Sequence, residues 1–323
     1  MTTYIHQPLV SDGSLVLSID ESLREVAAQW MPKIAHERAR AHARGASIRI
    51  SRGMLERPNL SASPVLALGR VRAVVSDSRD SAWLENSGAT IVSSIDLTGR
   101  VANVSVAPDD GVSQGDMTSM LTIVAAMLLV RDGHTPVHAG AVVNPASGNA
   151  WLLAGDSHSG KSTTTANLLR AGWSYLSDDY VVLLQNEQRL SVEGWPDDFH
   201  LDGGWRSGAP TGVRESVAES EIAEGRRIAT APLGGIIFPR VDADSPTQIV
   251  TVSPATSLER LIRQSPWLVA DESSAEKVFE LLARAALLPA GELRLGLDTF
   301  ADPELLAKIL SGFTEERRER AGQ

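Results

Sequence analysis

Residues 155–162 read Gly-Asp-Ser-His-Ser-Gly-Lys-Ser, which meets the pattern G-x-x-x-x-G-K-[ST] at every fixed position. A random chain of this length would carry that pattern by accident roughly 1% of the time. The residue types suit the gripping of a polyphosphate. Gly155 and Gly160 permit turns that a side chain would hinder, so the N–H groups of Asp156, Ser157, His158 and Ser159 can face phosphate oxygens. Lys161 offers a cation to the β- and γ-phosphates, and Ser162 offers a hydroxyl to Mg²⁺. The helix that starts there, with Thr163 in its first turn, directs the positive end of its dipole at the same anion.

A pair of carboxylates, Asp178 and Asp179, follows downstream. One can hold Mg²⁺, directly or through water, while the other accepts a proton from an attacking hydroxyl; the residue types alone do not assign which does which. Arg226 and Arg227 form a basic pair that could neutralise charge on a transferring phosphoryl group, although solvated arginines are ordinary at such a position. His138 lies in the strand-like sequence Val-His-Ala-Gly-Ala-Val-Val, and read alone it is a core histidine.

These groups need elements to position them. The apolar run Trp151–Ala154 reads as a strand entering the loop, and Thr163–Ala171 as a helix leaving it, closed by Gly172. Gly172–Ser177 then reads as a return strand, interrupted by Ser174 and Ser177, with Tyr180–Leu184 strand-like beyond the Asp pair. In a right-handed β-α-β unit both strands end on one edge of the sheet, which brings the carboxylates to the phosphates. Upstream, Val137–Val143 is strand-like, and Asp116 can cap a helix from Met117 to about Arg131, ended by Gly133. Downstream, 193–227 loses regular periodicity and reads as a long mobile loop, with Trp195 and Trp205 as candidate walls of a peptide groove. Leu233–Phe238 reads as a strand. Leu258–Arg263, Ala275–Leu287 and a segment after Asp302-Pro303 have helical spacing. Residues 1–113 mix a helical pattern (Ser22–Ala43, overlapped at its end by the basic run His36–Arg44) with β-rich pieces such as Val65–Val75 and Thr90–Ile95. The expected division is therefore an α+β region over 1–113 and an α/β domain over 114–323.

Composition narrows the rest. The chain has 323 residues, 43% of them hydrophobic, enough for a sizeable core. A formal charge of −10 argues against general nucleic-acid binding, which calls for a surplus of Lys and Arg. With no cysteine, disulfides and thiolate chemistry are excluded, and any metal must be held by oxygen or imidazole. The longest apolar run, Met120–Val130, is well short of the roughly 20 residues that span a bilayer. No membrane association and a cytoplasmic address are expected, and a homo-oligomer is compatible with such a chain.

The segment from His138 to Leu184 resembles the catalytic domain of the HPr kinase/phosphorylase family: a His-containing strand, Gly155-Asp156-Ser157 with Gly160-Lys161-Ser162, and Asp178-Asp179 in that order. Further on, Gly194-Trp195-Pro196, the Ala231–Phe238 strand and Leu293-Arg294-Leu295 resemble the looser group of HPr-kinase-like proteins found beside peptide-modifying gene sets. The resemblance implies an α/β fold of the HPr kinase and phosphoenolpyruvate carboxykinase type, with ATP and Mg²⁺ as cofactors. It also implies transfer of the γ-phosphate to a Ser or Thr hydroxyl of a protein or peptide. It places His138 near the γ-phosphate or in support of the catalytic Asp, and carries Glu193 over as a metal ligand. The family's long second signature is not present, so HPr itself is not implied as substrate. Two other readings stay open: a nucleotide-dependent regulatory protein with little catalysis, and a kinase for a small-molecule hydroxyl.

Overall fold

The computed structural model describes residues 4–8, 14–23, 45–58, 66–107, 112–186, 189–195, 199–203, 213–218, 221–222, 225–302 and 304–321. The expected helix over Ser22–Ala43 and the basic run His36–Arg44 lie outside them, apart from the 3-10 turn Glu21–Leu23; Trp205 also lies outside. The chain is mixed α/β and divides into two compact units, Met1–Thr135 with Pro266–Val278, and Pro136–Ser265 with Phe279–Gln323.

The first unit holds an eight-stranded sheet of β1 (Tyr4–Pro8), β2 (Leu15–Asp20), β3 (Ala46–Arg52), β4 (Leu66–Leu68), β5 (Val71–Val75), β6 (Ser81–Asn86), β7 (Ile91–Asp96) and β8 (Val101–Val106). Its order is β1-β2-β3-β8-β7-β6-β5-β4. The pairs β2–β3 and β3–β8 are parallel, and β5 to β8 form an antiparallel meander. The β-rich piece expected as one run over Val65–Val75 is a hairpin, because Gly69 turns the chain between β4 and β5.

Helix α1 (Gln114–Arg131) packs on this sheet and buries residues on nearly every side. That explains an apolar stretch without amphipathic periodicity. Among the described residues no helix is long and apolar enough to cross a membrane. The N-cap is Ser113, whose Oγ accepts from the N–H of Asp116, rather than Asp116 itself. Asp116 sits inside the first turn because its buried carboxylate accepts from Asn86 Nδ2 at 3.0 Å and faces Arg70 at 3.8 Å. Gly133 ends the helix as expected, with φ +79. This helix, grouped by the sequence reading with the segment that follows it, falls in the first compact unit.

The second unit is built on β9 (Thr135–Val143), β10 (Ala150–Ala154), α2 (Lys161–Arg170), β11 (Ser174–Ser177), β12 (Tyr180–Asn186), β13 (Arg189–Gly194), β14 (Phe199–Asp202), β15 (Arg214–Val217), β16 (Thr230–Val241), β17 (Gln248–Thr251), α3 (Pro254–Arg263), the second half of α4 (Glu272–Ala286), β18 (Ala290–Leu295) and α5 (Glu304–Ala321). The sheet order is β10-β9-β12-β13-β16-β18-β17, with β11 also on β9. A further parallel pairing, β10 to β16, closes five of these strands on themselves.

Two pairings set the geometry that matters here. Strand β10 runs antiparallel to β9, with Ala150 opposite Val143 and Ala154 opposite Ala139. Strand β11 also runs antiparallel to β9, with Ser174 opposite Val143 and Ser177 opposite Ala141. Because both meet β9 at the same residues, they flank it on opposite sides and run parallel to each other. The expected β-α-β arrangement is present, with β9 inserted between its strands, and both strands end on one edge.

The region 193–227, expected to lack regular structure, contains the antiparallel pair β14–β15. Phe199, Leu201 and Val217 from this pair, together with Ile222, join a buried cluster with Trp151, Leu168, Leu169 and Tyr175. Apolar residues spaced two apart on short strands explain the difference: they alternate too briefly to register as periodicity but suffice to bury one face. Leu306, Leu310 and Phe313 of α5 complete the cluster, and the edge of the Phe313 ring lies 6.3 Å from Trp151 between centroids. Trp151 is 2% exposed and sits four residues before the glycine-rich loop, so this cluster anchors the strand that carries the loop. Trp151→Ala is expected to lower stability by about 3–5 kcal/mol, as large-to-small core changes do. Urea denaturation followed by far-UV circular dichroism checks this; a loss below 1 kcal/mol would mean the anchor is elsewhere.

Candidate active site

Strand β10 delivers Gly155 to the same sheet edge where β11 delivers Asp178. The loop turns through two left-handed residues, His158 at φ +66 and Gly160 at φ +102. At Gly160 the positive φ favours glycine, and a Cβ there would also press on Leu295 Cδ1 at 2.5 Å. The side chains of His158 and Ser157 are exposed. Lys161 is 7% exposed, and its Nζ donates to the carbonyls of Gly155 at 2.8 Å and Asp156 at 3.2 Å. The ammonium thus holds the loop curled over itself. Thr164 and Thr165 donate their hydroxyls to the carbonyls of Gly160 and Lys161, one turn back, and Thr163 is half-buried beside Ser162.

The two aspartates have different partners. Ser162 Oγ donates to Asp178 Oδ2 at 2.8 Å, and Asp178 is 4% exposed. Asp179 keeps 43% of its side chain exposed, and its Oδ1 lies 2.8 Å from His138 Nε2. The His138 ring is half-buried and tilts against Tyr180, with centroids 5.3 Å apart. Ser177, which interrupts the return strand, is fully buried; its hydroxyl proton serves Tyr180 O at 2.5 Å and Trp195 O at 2.8 Å. That contact ties shut the turn that presents both carboxylates.

Two residues outside the sequence-derived set shape the site. Gly140 on β9 has no room for a side chain: a Cβ would meet Asp178 O at 2.9 Å and Thr165 Oγ1 at 3.3 Å. The glycine between His138 and the aspartates therefore allows the strand and the turn to approach, and its place in His-Ala-Gly-Ala was the available signal. Gln264 follows α3; its side-chain Nε2 donates to Asp156 Oδ1 at 2.9 Å, and its Oε1 lies 3.1 Å from His138 Nδ1. Nothing local in the sequence marks it, because it comes from a segment remote from the loop.

Glu193 is 6% exposed on β13, opposite Val182 and Thr230. Arg226 Nη1 donates to Trp173 O at 3.2 Å, and Arg227 bridges to Tyr175. Both therefore neighbour the beginning of β11, whereas Asp178 and Asp179 follow its end, roughly 10 Å along a four-residue strand.

The arrangement suits a polyphosphate with a hard cation. Gly160 precedes α2 without any side-chain cap, and Ser159 Oγ is buried with no hydrogen-bond partner among the described residues. Uncapped helix N–H groups and a spare hydroxyl beside a lysine match phosphate oxygens. Among the described residues no three His, Asp or Glu side chains converge on one metal position. Ser162 and Asp178 are placed to hold a Mg²⁺ ion together with phosphate and water oxygens.

A cleft of about 590 Å³ opens beside the first half of the loop, lined by Asp156, Phe238, Arg240, Arg260, Arg263 and Glu292 among others. The Arg260 guanidinium lies 5.1 Å from the Phe238 ring centroid and donates to Glu292 at 2.6 Å. The hydrogen bond from Arg260 holds the Glu292 carboxyl below the usual carboxylate range; burial opposes this and Arg294 adds to it. A depressed native value means that the group stabilises the fold above the ordinary glutamate range, near pH 4. That contribution disappears as pH falls through the native value. Glu292→Gln is therefore expected to lose stability less steeply than the wild type between roughly pH 5 and pH 2. Urea midpoints at stepped pH check this, and equal slopes would contradict it.

No family model and no curated protein matches this chain. Among solved structures, the Hpr(Ser) kinase/phosphatase from Coxiella burnetii is similar to it with a TM-score of 0.33 and 11% identity, over 57% of this chain and 98% of that one.

Proposed function

We propose that this chain is an ATP-dependent kinase that transfers the γ-phosphate to a Ser or Thr hydroxyl of a protein or peptide. The observation that carries the reading is the sorting of the two aspartates. Asp178 is buried against the loop hydroxyl Ser162, and Asp179 is solvent-accessible against His138, both at the edge where the glycine-rich loop begins.

In this reading the loop N–H groups and Lys161 grip the β- and γ-phosphates, with Lys161 exchanging loop carbonyls for phosphate oxygens. Ser162 and Asp178 hold Mg²⁺, with Glu193 as a further candidate ligand. Bound Mg²⁺ supplies charge neutralisation on the phosphates and fixes their orientation. Asp179 accepts the proton of the acceptor hydroxyl as its oxygen bonds to the γ-phosphorus and the bond from that phosphorus to the β-phosphate oxygen breaks, releasing ADP. His138 orients the Asp179 carboxylate through Nε2. Arg226 and Arg227 would stabilise the transferring charge only if the segment carrying them moved from the start of β11.

Phosphate transfer from labelled ATP-Mg²⁺ to serine-bearing peptides and proteins is the test. Asp179→Asn is expected to slow transfer on the order of 10²–10⁴-fold, the usual contribution of a positioned base, with nucleotide affinity within a few-fold. Lys161→Ala is expected to weaken nucleotide binding at least tenfold, about 1.4 kcal/mol. Wild-type transfer in both variants and in Asp178→Asn would overturn the kinase reading. Tight nucleotide binding with no labelled acceptor would favour a nucleotide-dependent regulator instead, and labelling of free serine over any peptide would favour a small-molecule kinase.

A further inference from the structure

Gln264 touches both halves of the candidate site at once. It is 6% exposed and caps the C-terminal end of α3, its N–H donating to Leu261 O at 3.0 Å. Its carbonyl accepts the backbone N–H of His138 at 2.8 Å, which fixes the helix end to β9 beside the histidine. The next residue repeats the attachment, with Ser265 Oγ donating to Pro136 O at 3.1 Å. Gln264 is thus held in place by its own backbone and by the hydroxyl of its neighbour.

Donor and acceptor roles around that side chain follow from chemistry. An ionised Asp156 carboxylate only accepts, so the Gln264 amide must turn its NH₂ toward Asp156 Oδ1, 2.9 Å away. Its Oε1 then faces His138 Nδ1 at 3.1 Å and can only accept, which requires a hydrogen on Nδ1. Nε2 lies 2.8 Å from Asp179 Oδ1, and a carboxylate oxygen only accepts, so this contact needs a hydrogen on Nε2 as well; the ring makes both contacts at once only with a hydrogen on each nitrogen. The ring orientation is therefore set from the loop side, through Asp156 and Gln264.

We propose that Gln264 is a positioning residue that joins the glycine-rich loop to the His138–Asp179 pair and dictates a proton on His138 Nδ1. Its functional consequence rests on the kinase reading, whereas the protonation it dictates does not. Gln264 touches no reacting atom. It holds the imidazole so that Nε2 meets the Asp179 carboxylate, and it does so only while Asp156 is in place. A shift of the loop is thereby felt at the base.

Two variants separate the two halves of this link. Gln264→Met keeps the volume and removes both hydrogen bonds, whereas Gln264→Glu keeps an acceptor for Nδ1–H and sets a second carboxylate against Asp156. Two-bond ¹H–¹⁵N spectra of histidine-labelled protein, with the His138 signal identified by its loss in His138→Gln, read the ring directly. The wild type is expected to show a hydrogen on Nδ1 and on Nε2. In Gln264→Met only the Nε2 hydrogen, toward Asp179, should remain at the same pH, and Gln264→Glu should match the wild type. In ATP-Mg²⁺ turnover with water as acceptor, kcat is expected to fall at least tenfold in both variants while KM for ATP stays within about twofold, since misplacing a reacting group by about 1 Å can cost on the order of 10²-fold. An unprotonated Nδ1 in the wild type overturns the proposal, as does a Gln264→Met protein with wild-type spectrum and kcat. If Gln264→Met does not fold by circular dichroism, wild-type kcat in Gln264→Glu overturns it. Should the wild type neither bind nor turn over ATP, the kinase reading fails, and the spectra alone decide the role of Gln264.

Discussion

Strand β9 is hydrogen-bonded on both sides at the same residues, Ala141 to Val143, by β10 and β11. Everything at the candidate site follows from that double pairing. Hydrogen bonding along both edges leaves β10 and β11 parallel and a strand's width to either side of β9, so their exits must emerge together. One exit is the glycine-rich loop and the other is the aspartate turn, with His138 between them. Gly140 makes the close approach feasible, because its missing side chain leaves space for Asp178 O and Thr165 Oγ1. A substitution that pushed β9 away from either neighbour would misplace loop and carboxylates together, without touching any of them.

The electrostatics of the edge are those of a concentrated set of charges kept in order by hydrogen bonds. Lys161 and Asp178 are both nearly buried, and an unpaired buried charge would cost several kcal/mol. Lys161 donates to the loop's own carbonyls, and Asp178 accepts from the Ser162 hydroxyl at Oδ2. Asp179 stands at the surface of the same turn, where a large acceptor could reach it, and this separation of environments by one residue underlies the different roles proposed for the pair.

Local reading succeeded where the signal was local. The strand over Ala150–Ala154, the loop, the helix after it and the Asp pair were all legible, because a glycine-rich turn between an apolar strand and a helix is written in consecutive residues. It went astray where side chains answered to distant partners. Asp116 looked like an N-cap, yet Asn86, thirty positions away, draws it inside the helix and leaves the cap to Ser113. The segment after Glu193 looked irregular, yet Phe199, Leu201 and Val217 pack a short strand pair onto the cluster around Trp151. Ser177 looked like a flaw in a strand, and it proves to be the hydroxyl that closes the aspartate turn.

The amino-acid order by itself determined which chemistry the chain is equipped for. A loop of amides with a lysine, a serine and paired carboxylates suits phosphate and magnesium, and the absence of cysteine removes thiolate chemistry. Only the tertiary structure decided which aspartate meets Ser162 and which meets His138, since that depends on how a four-residue strand registers against β9. It alone brought Gln264 to Asp156, 108 positions apart in the chain. It also set Arg226 against Trp173 at the other end of β11. The physical reason is the same in each case: residue type fixes what a group can donate, accept or bury, whereas its partner is chosen by strand register and helix docking, which are properties of the whole packed unit.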